Sequence, residues 1–130
     1  MDRYDVVNYI KNMFPYLIDQ AMDKLEDMFG DRLYESETTF YYQFPAEALN
    51  EFLFKALKEK SNQKQVEKIF DLFEMMANSE DKLVTDCLQV ELLEPLWREK
   101  IVFDRALQLM HLKTREVNKD IEHYLKKPTE

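Results

Sequence analysis

The sequence has 130 residues, 18 Lys+Arg against 26 Asp+Glu for a net charge of −8, one Gly and one Cys. A single Gly rules out a GxGxxG fingerprint or a P-loop, each of which needs several positions where backbone meets phosphate without a Cβ. A single Cys, Cys87, rules out an intrachain disulfide framework and any multi-Cys zinc or iron–sulfur site. With 45% hydrophobic and 34% charged residues, the composition is that of a folded chain, and the length suits one domain. Residues 1–127 are expected to form it, with 128–130 a frayed tail. Residues 1–10 lack the apolar stretch of a signal peptide, and nothing approaches the ~20 apolar residues of a membrane span. The expectation is a cytoplasmic protein without membrane contact, in which Cys87 is a small core hydrophobe.

Helical spacing dominates the chain. Residues 4–13 place Val6, Val7, Ile10 and Met13 on one side, with Phe14 next, and Pro15 either stops that helix or opens another. From Tyr16, the set Leu17, Ile18, Ala21, Met22, Leu25, Met28 and Phe29 follows the i, i+3, i+4 rule. Gly30 just beyond it predicts a left-handed helix stop. Residues 31–44 cluster β-branched and aromatic side chains without helical spacing, which predicts an extended or irregular connection. Pro45 then predicts the start of a third helix, buried through Ala48, Leu49, Phe52, Leu53, Ala56 and Leu57. Ser61-Asn62-Gln63 predicts a turn.

The next helix, about 63–77, carries Val66, Ile69, Phe70, Phe73, Met76 and Ala77 on one face. Ser79 is a plausible N-cap for a helix over 80–93. That helix is apolar nearly all round (Leu83, Val84, Cys87, Leu88, Val90, Leu92, Leu93) and is expected at the centre of the fold. Pro95 should end it. Residues 98–110 bring Ile101, Val102, Ala106, Leu107, Leu109 and Met110, and Thr114 can cap a last helix bearing Val117, Ile121, Tyr124 and Leu125. The result is an all-α fold of about seven helices, packed as antiparallel hairpins in a HEAT-like or irregular bundle.

Charge is unevenly laid out. Residues 19–51 hold nine acids and two bases, and 67–94 hold eight acids and two bases; 52–66 and 95–127 are each +3. Glu67, Asp71, Glu74 and Asn78 share one helical stripe, and Lys82, Thr85, Asp86 and Gln89 another. Such stripes serve as solvated faces or as docking surfaces for basic partners. Direct nucleic-acid binding is disfavoured, because both acidic stretches repel phosphate.

Catalytic and metal patterns are weak. Asp120 and His123 form one Asp-x-x-His, where a di-iron bundle needs two Glu-x-x-His. Ser36, Ser61 and Ser79 lie in turn-like sequence without a GxSxG elbow. Cys87 falls within the most apolar helix, and nothing selects an acid–base pair among the 26 carboxylates. No enzyme activity, cofactor or metal is expected. Two features remain: the run Phe40, Tyr41, Tyr42 and Phe44, with Tyr34 nearby, is either a loop pinned to the core or a set of binding anchors. Glu91 and Glu94 should accept hydrogen bonds from the following connection or pair with Arg98.

The stretch Lys68-Ile-Phe-Asp-Leu-Phe-Glu-Met-Met-Ala77, with Ser79-Glu-Asp and Val90-Glu-Leu-Leu-Glu-Pro-Leu96, resembles small all-helical bacterial proteins that stand alone and have no assigned biochemistry. It is also similar to the HEAT-like immunity proteins that protect bacteria from polymorphic nuclease toxins. The likeness spans about 65–125, with Phe14-Pro15 near the start. It implies a non-catalytic protein that binds and silences a toxin; the alternative is an intracellular helical adaptor for a peptide or protein. An acidic face suits a nuclease, whose substrate groove must be basic. The expected partner surface is Glu67, Asp71 and Glu74, extended by Glu80, Asp81 and Asp86, with Tyr41 and Tyr42 as apolar anchors. The basic 95–127 segment is the other candidate face.

Overall fold

α1 (Arg3–Met13) starts from a capping box. The Asp5 N–H donates to Asp2 Oδ1 and the Asp2 N–H to Asp5 Oδ2, both at 2.9 Å, which satisfies two otherwise orphaned helix donors. The computed structural model describes residues 1–129, and among them all regular structure is helical, with no strand. Pro15 opens a 3₁₀ turn (Pro15–Leu17) that feeds α2 (Ile18–Phe29). Gly30 ends α2 as expected, although its φ of 55° is combined with a ψ of −135°, outside the left-handed helical basin.

The main departure follows. Instead of a connection over 31–44 and a helix starting at Pro45, a 3₁₀ turn (Gly30–Tyr34) leads into α3 (Glu37–Glu59), 23 residues long with Pro45 inside it. A proline within a helix removes one hydrogen bond and crowds the preceding turn. Packing outweighs that cost here. Phe44, Pro45 and Ala46 are buried, and Phe40 stacks on Phe44 one turn later, ring centroids 5.2 Å apart. Just before the proline, the Tyr42 carbonyl accepts the Cys87 thiol at 3.2 Å. Local propensity yields to tertiary contact, as it often does for aromatic segments.

Lys60 and Asn62, both at positive φ, turn the chain into α4 (Gln63–Ala77), which keeps the expected bounds. The helix expected over 80–93 starts later, at α5 (Lys82–Asp86). Its N-cap is Asp81, which accepts from the Leu83 N–H at 3.1 Å, rather than Ser79. Ser79 Oγ instead accepts from the Asp81 N–H and donates to the Met1 carbonyl. The run continues as a π-helix (Cys87–Leu93), one of whose carbonyls, that of Glu91, accepts from the Asn50 side chain at 2.8 Å. It stops at Leu93, the end expected from Pro95. The proline sits in the first turn of a 3₁₀ segment (Glu94–Arg98), where no N–H is needed.

α6 (Lys100–Leu109) and α7 (Leu112–Ile121) complete the fold. His111 holds the cap position of α7 and Thr114 lies inside its first turn, so Thr114 is not the expected cap; Tyr124 and Leu125 follow the helix end. A single core runs from Val6 to Ile121. Its hub is α3, which touches α1, α2, α4, α5, the π-helix and α6. The stretch expected to be central shares that role only in part: Val84, Cys87, Leu88, Leu92 and Leu93 are buried, but Val90 is 42% exposed.

Candidate functional site

The acidic stripe divides into carboxylates used by the fold and carboxylates left facing outward. Glu74 belongs to the first group. Its Oε1 accepts from the Thr114 N–H and hydroxyl, both at 2.9 Å, and its Oε2 from the Lys113 N–H at 3.0 Å. Asp81 does also: while capping α5 it takes a forked pair of bonds from Arg3 Nε and Nη2, each 2.9 Å, and one from the Arg3 N–H. Burial opposes the Asp81 charge, but the Arg3 side chain outweighs it and holds the carboxyl below its ordinary value. Asp86, half-buried, takes the Lys82 ammonium at 3.1 Å one turn away.

Glu67 and Asp71 remain exposed on α4, one turn apart, as does Glu80 beyond its end. The first two form one wall of a groove of about 360 Å³ between α4 and the end of α6, completed by Phe70, Gln108, Leu109 and His111. His111 Nε2 lies 3.3 Å from Asp71 Oδ1. A neighbouring cavity of about 190 Å³ shares Glu67, Gln108 and Leu109 and extends to Lys60 and Arg105. Arg105 Nη1 donates to the Leu57 and Lys58 carbonyls at 2.7 Å each, so its charge already serves the end of α3.

The expected aromatic anchors sit on a helix rather than a connection, and α3 directs them differently. Tyr41 packs edge-on against Tyr4 of α1 at 4.9 Å and lines an aromatic groove of about 440 Å³ with Met22, Leu33 and Phe40. Tyr42 is half-buried and close to Glu91; burial, then that negative charge, raises its phenol to about 12. α1 packs on both helices, since Tyr9 donates to the Lys68 carbonyl of α4 while Tyr4 meets Tyr41 of α3. The groove that holds Tyr41 and the groove that holds Glu67 and Asp71 are lined by different residues.

Glu94 accepts from the Tyr124 hydroxyl at 2.8 Å. Among the described residues no ion pair joins Glu91 or Glu94 to Arg98. Asp120 and His123 are exposed. Among the described residues no three His, Cys, Asp or Glu side chains are placed to hold a metal ion. Burial raises the Cys87 thiol far above its ordinary value, so it stays protonated. Sequence reasoning missed Gln108, Leu109 and His111 as groove residues. Their only signal is tertiary, because they meet α4 about 40 positions away in the chain.

These features define an all-α protein with an outward acidic groove and, among the described residues, no cluster of side chains placed to hold a metal ion. The chain belongs to the family described as Domain of unknown function (DUF7674), whose profile matches residues 7–126. No curated protein and no solved structure matches it. Among the described residues, no helix is long and apolar enough to cross a membrane.

Proposed function

We propose that this chain works by binding, without catalysis or a cofactor, as an immunity protein that presents the α4 carboxylates to the basic face of a nuclease toxin in the cytoplasm. One observation carries the reading: Glu67 and Asp71 stay exposed beside a groove, although other acids of the same stripe are consumed by the fold. Carboxylates held outward on a rigid helix give a basic partner a fixed target. The net charge of −8 would speed its capture in a salt-dependent way. Glu80 would extend the surface. Glu74 and Asp81 would support it from within, and Asp86 would contribute through the charge left beside Lys82.

The test begins with the gene's neighbourhood, where this reading expects an adjacent gene for a nuclease toxin and the adaptor reading expects none. Purified chain should inhibit that nuclease at a one-to-one ratio, and Glu67→Lys/Asp71→Lys should slow association and flatten its dependence on salt. Binding without inhibition would replace this reading with the adaptor. Unchanged protection by the charge-reversed variant would move the interface to the basic 95–127 segment.

A further inference from the structure

The groove between α4 and α6 has a more specific chemistry than its charge. Its lining combines the exposed edge of Leu109, 36% exposed, over the buried Phe70 with Glu67 and Asp71 of α4 and Gln108 of α6. Residues four apart on a helix hold their Cβ atoms about 5–6 Å apart. Two carboxylates at that spacing can share one flat guanidinium, whose five N–H donors fan outward, better than they can share a compact ammonium. The exposed edge of Leu109 suits the aliphatic stem that precedes such a head. Among the described residues Glu67 has no ion-pair partner, and the imidazole of His111 lies 3.3 Å from Asp71.

We infer that this groove holds a single arginine side chain from a loop or tail of the protein partner, with its stem on Leu109 and its guanidinium across Glu67 and Asp71. Leu112, 72% exposed just past His111, offers an apolar neighbour for the residue flanking that arginine. The inference deepens the proposed docking reading, and it names the residue type the α4 surface recognises.

The experiment titrates isotope-labelled chain with acetyl-Leu-Arg-Leu-amide and follows its backbone amide resonances. Acetyl-Leu-citrulline-Leu-amide, of nearly the same shape but uncharged, is the control. Saturable shifts should centre on Glu67, Asp71, Gln108, Leu109 and His111 with the arginine peptide and be absent with citrulline. Glu67→Gln/Asp71→Asn, nearly isosteric at exposed positions, should weaken binding at least tenfold while leaving the circular dichroism spectrum unchanged. Equal response to citrulline, or shifts centred elsewhere, would overturn the inference. Failure of the two readings is separable: an arginine peptide seated here beside an uninhibited nuclease removes the immunity role alone, whereas an inhibited nuclease with an unresponsive groove removes the arginine site alone.

Discussion

The Glu74 carboxylate closes the amino end of α7 by taking both the N–H and the hydroxyl of Thr114, at 2.9 Å each. A helix normally finds its cap in the residue before its first turn. Here the cap comes from α4, and it ties the start of α7 to that helix. Burial works against the Glu74 charge, but the Thr114 and Lys113 N–H bonds, the Thr114 hydroxyl and the proximity of His111 win, leaving the carboxyl below its ordinary value.

Glu74→Ala should therefore cost about 1–2 kcal/mol, the usual loss for a removed cap. Urea denaturation measures the cost, and amide exchange should speed up most at Lys113 and Thr114. The sign with pH follows from the lowered carboxyl. The contribution is full above its unfolded value and is lost as pH falls through the folded one, so mutant and parent should converge in acid.

Gly30 makes a purely conformational prediction. Its φ is 55°, and a Cβ built there meets nothing within 4 Å. Gly30→Ala should thus destabilise by about 1–3 kcal/mol through backbone strain alone. A parallel Gly30→Asn variant should lose a similar amount if steric room is not the limit, and thermal unfolding of both would show it.

The helices that sequence patterning places well, α1, α2, α4 and α6, each carry a regular apolar stripe between visible stop signals. Gly30 is read correctly as a helix stop at positive φ, though not as a left-handed helical residue, and the Ser61-Asn62 turn is read from short polar side chains that favour such backbone. The amino half of α3 is not, since Pro45 and the β-branched and aromatic residues before it argue locally for extended chain. Its helical order depends on Phe40 meeting Phe44 and on burial, which appear only in the packed molecule. The caps fail in the same way: Thr114 looks like a cap, but the carboxylate that serves α7 is 40 residues earlier. Of the candidate surface, the exposure of Glu67 and Asp71 is legible as a helical stripe. The inward use of Glu74 and Asp81 is not, because their partners lie on other elements.

Trp97 and Asn118 form the second attachment of α7. The indole N–H donates to Asn118 Oδ1 at 2.9 Å, and Asn118 is only 3% exposed. Among the described residues no buried side-chain nitrogen or oxygen lacks a partner. Trp97→Phe would create one, at about 1–3 kcal/mol for the stranded amide, with a further loss for the missing ring volume. Adding Asn118→Leu should recover part of that loss, because removing both polar partners costs less than stranding one. A double-mutant cycle in guanidinium chloride would measure the coupling, and a cycle that closes without any would refute it.

Glu91 should behave in the opposite sense to Glu74. Burial first, and then the negative charges of Glu47 and Glu94, raise its carboxyl above the ordinary value. The charged form is therefore less favourable in the folded chain than in the unfolded one. At neutral pH the unfolded state holds its Glu91 charge more easily, so ionisation there subtracts from stability; as pH falls through the raised folded value, that loss disappears. Glu91→Gln keeps the shape and removes the charge. The substitution also leaves in place the Asn50 bond, which goes to the backbone carbonyl. The variant should consequently unfold at a higher denaturant concentration than the parent at pH 7, with the gap narrowing toward pH 4. Denaturation midpoints across that range provide the check. A midpoint lowered at pH 7 would mean that the Glu91 charge is held by a favourable contact on the α3 side of the π-helix, and that the repulsion from Glu47 and Glu94 is not what controls this seam.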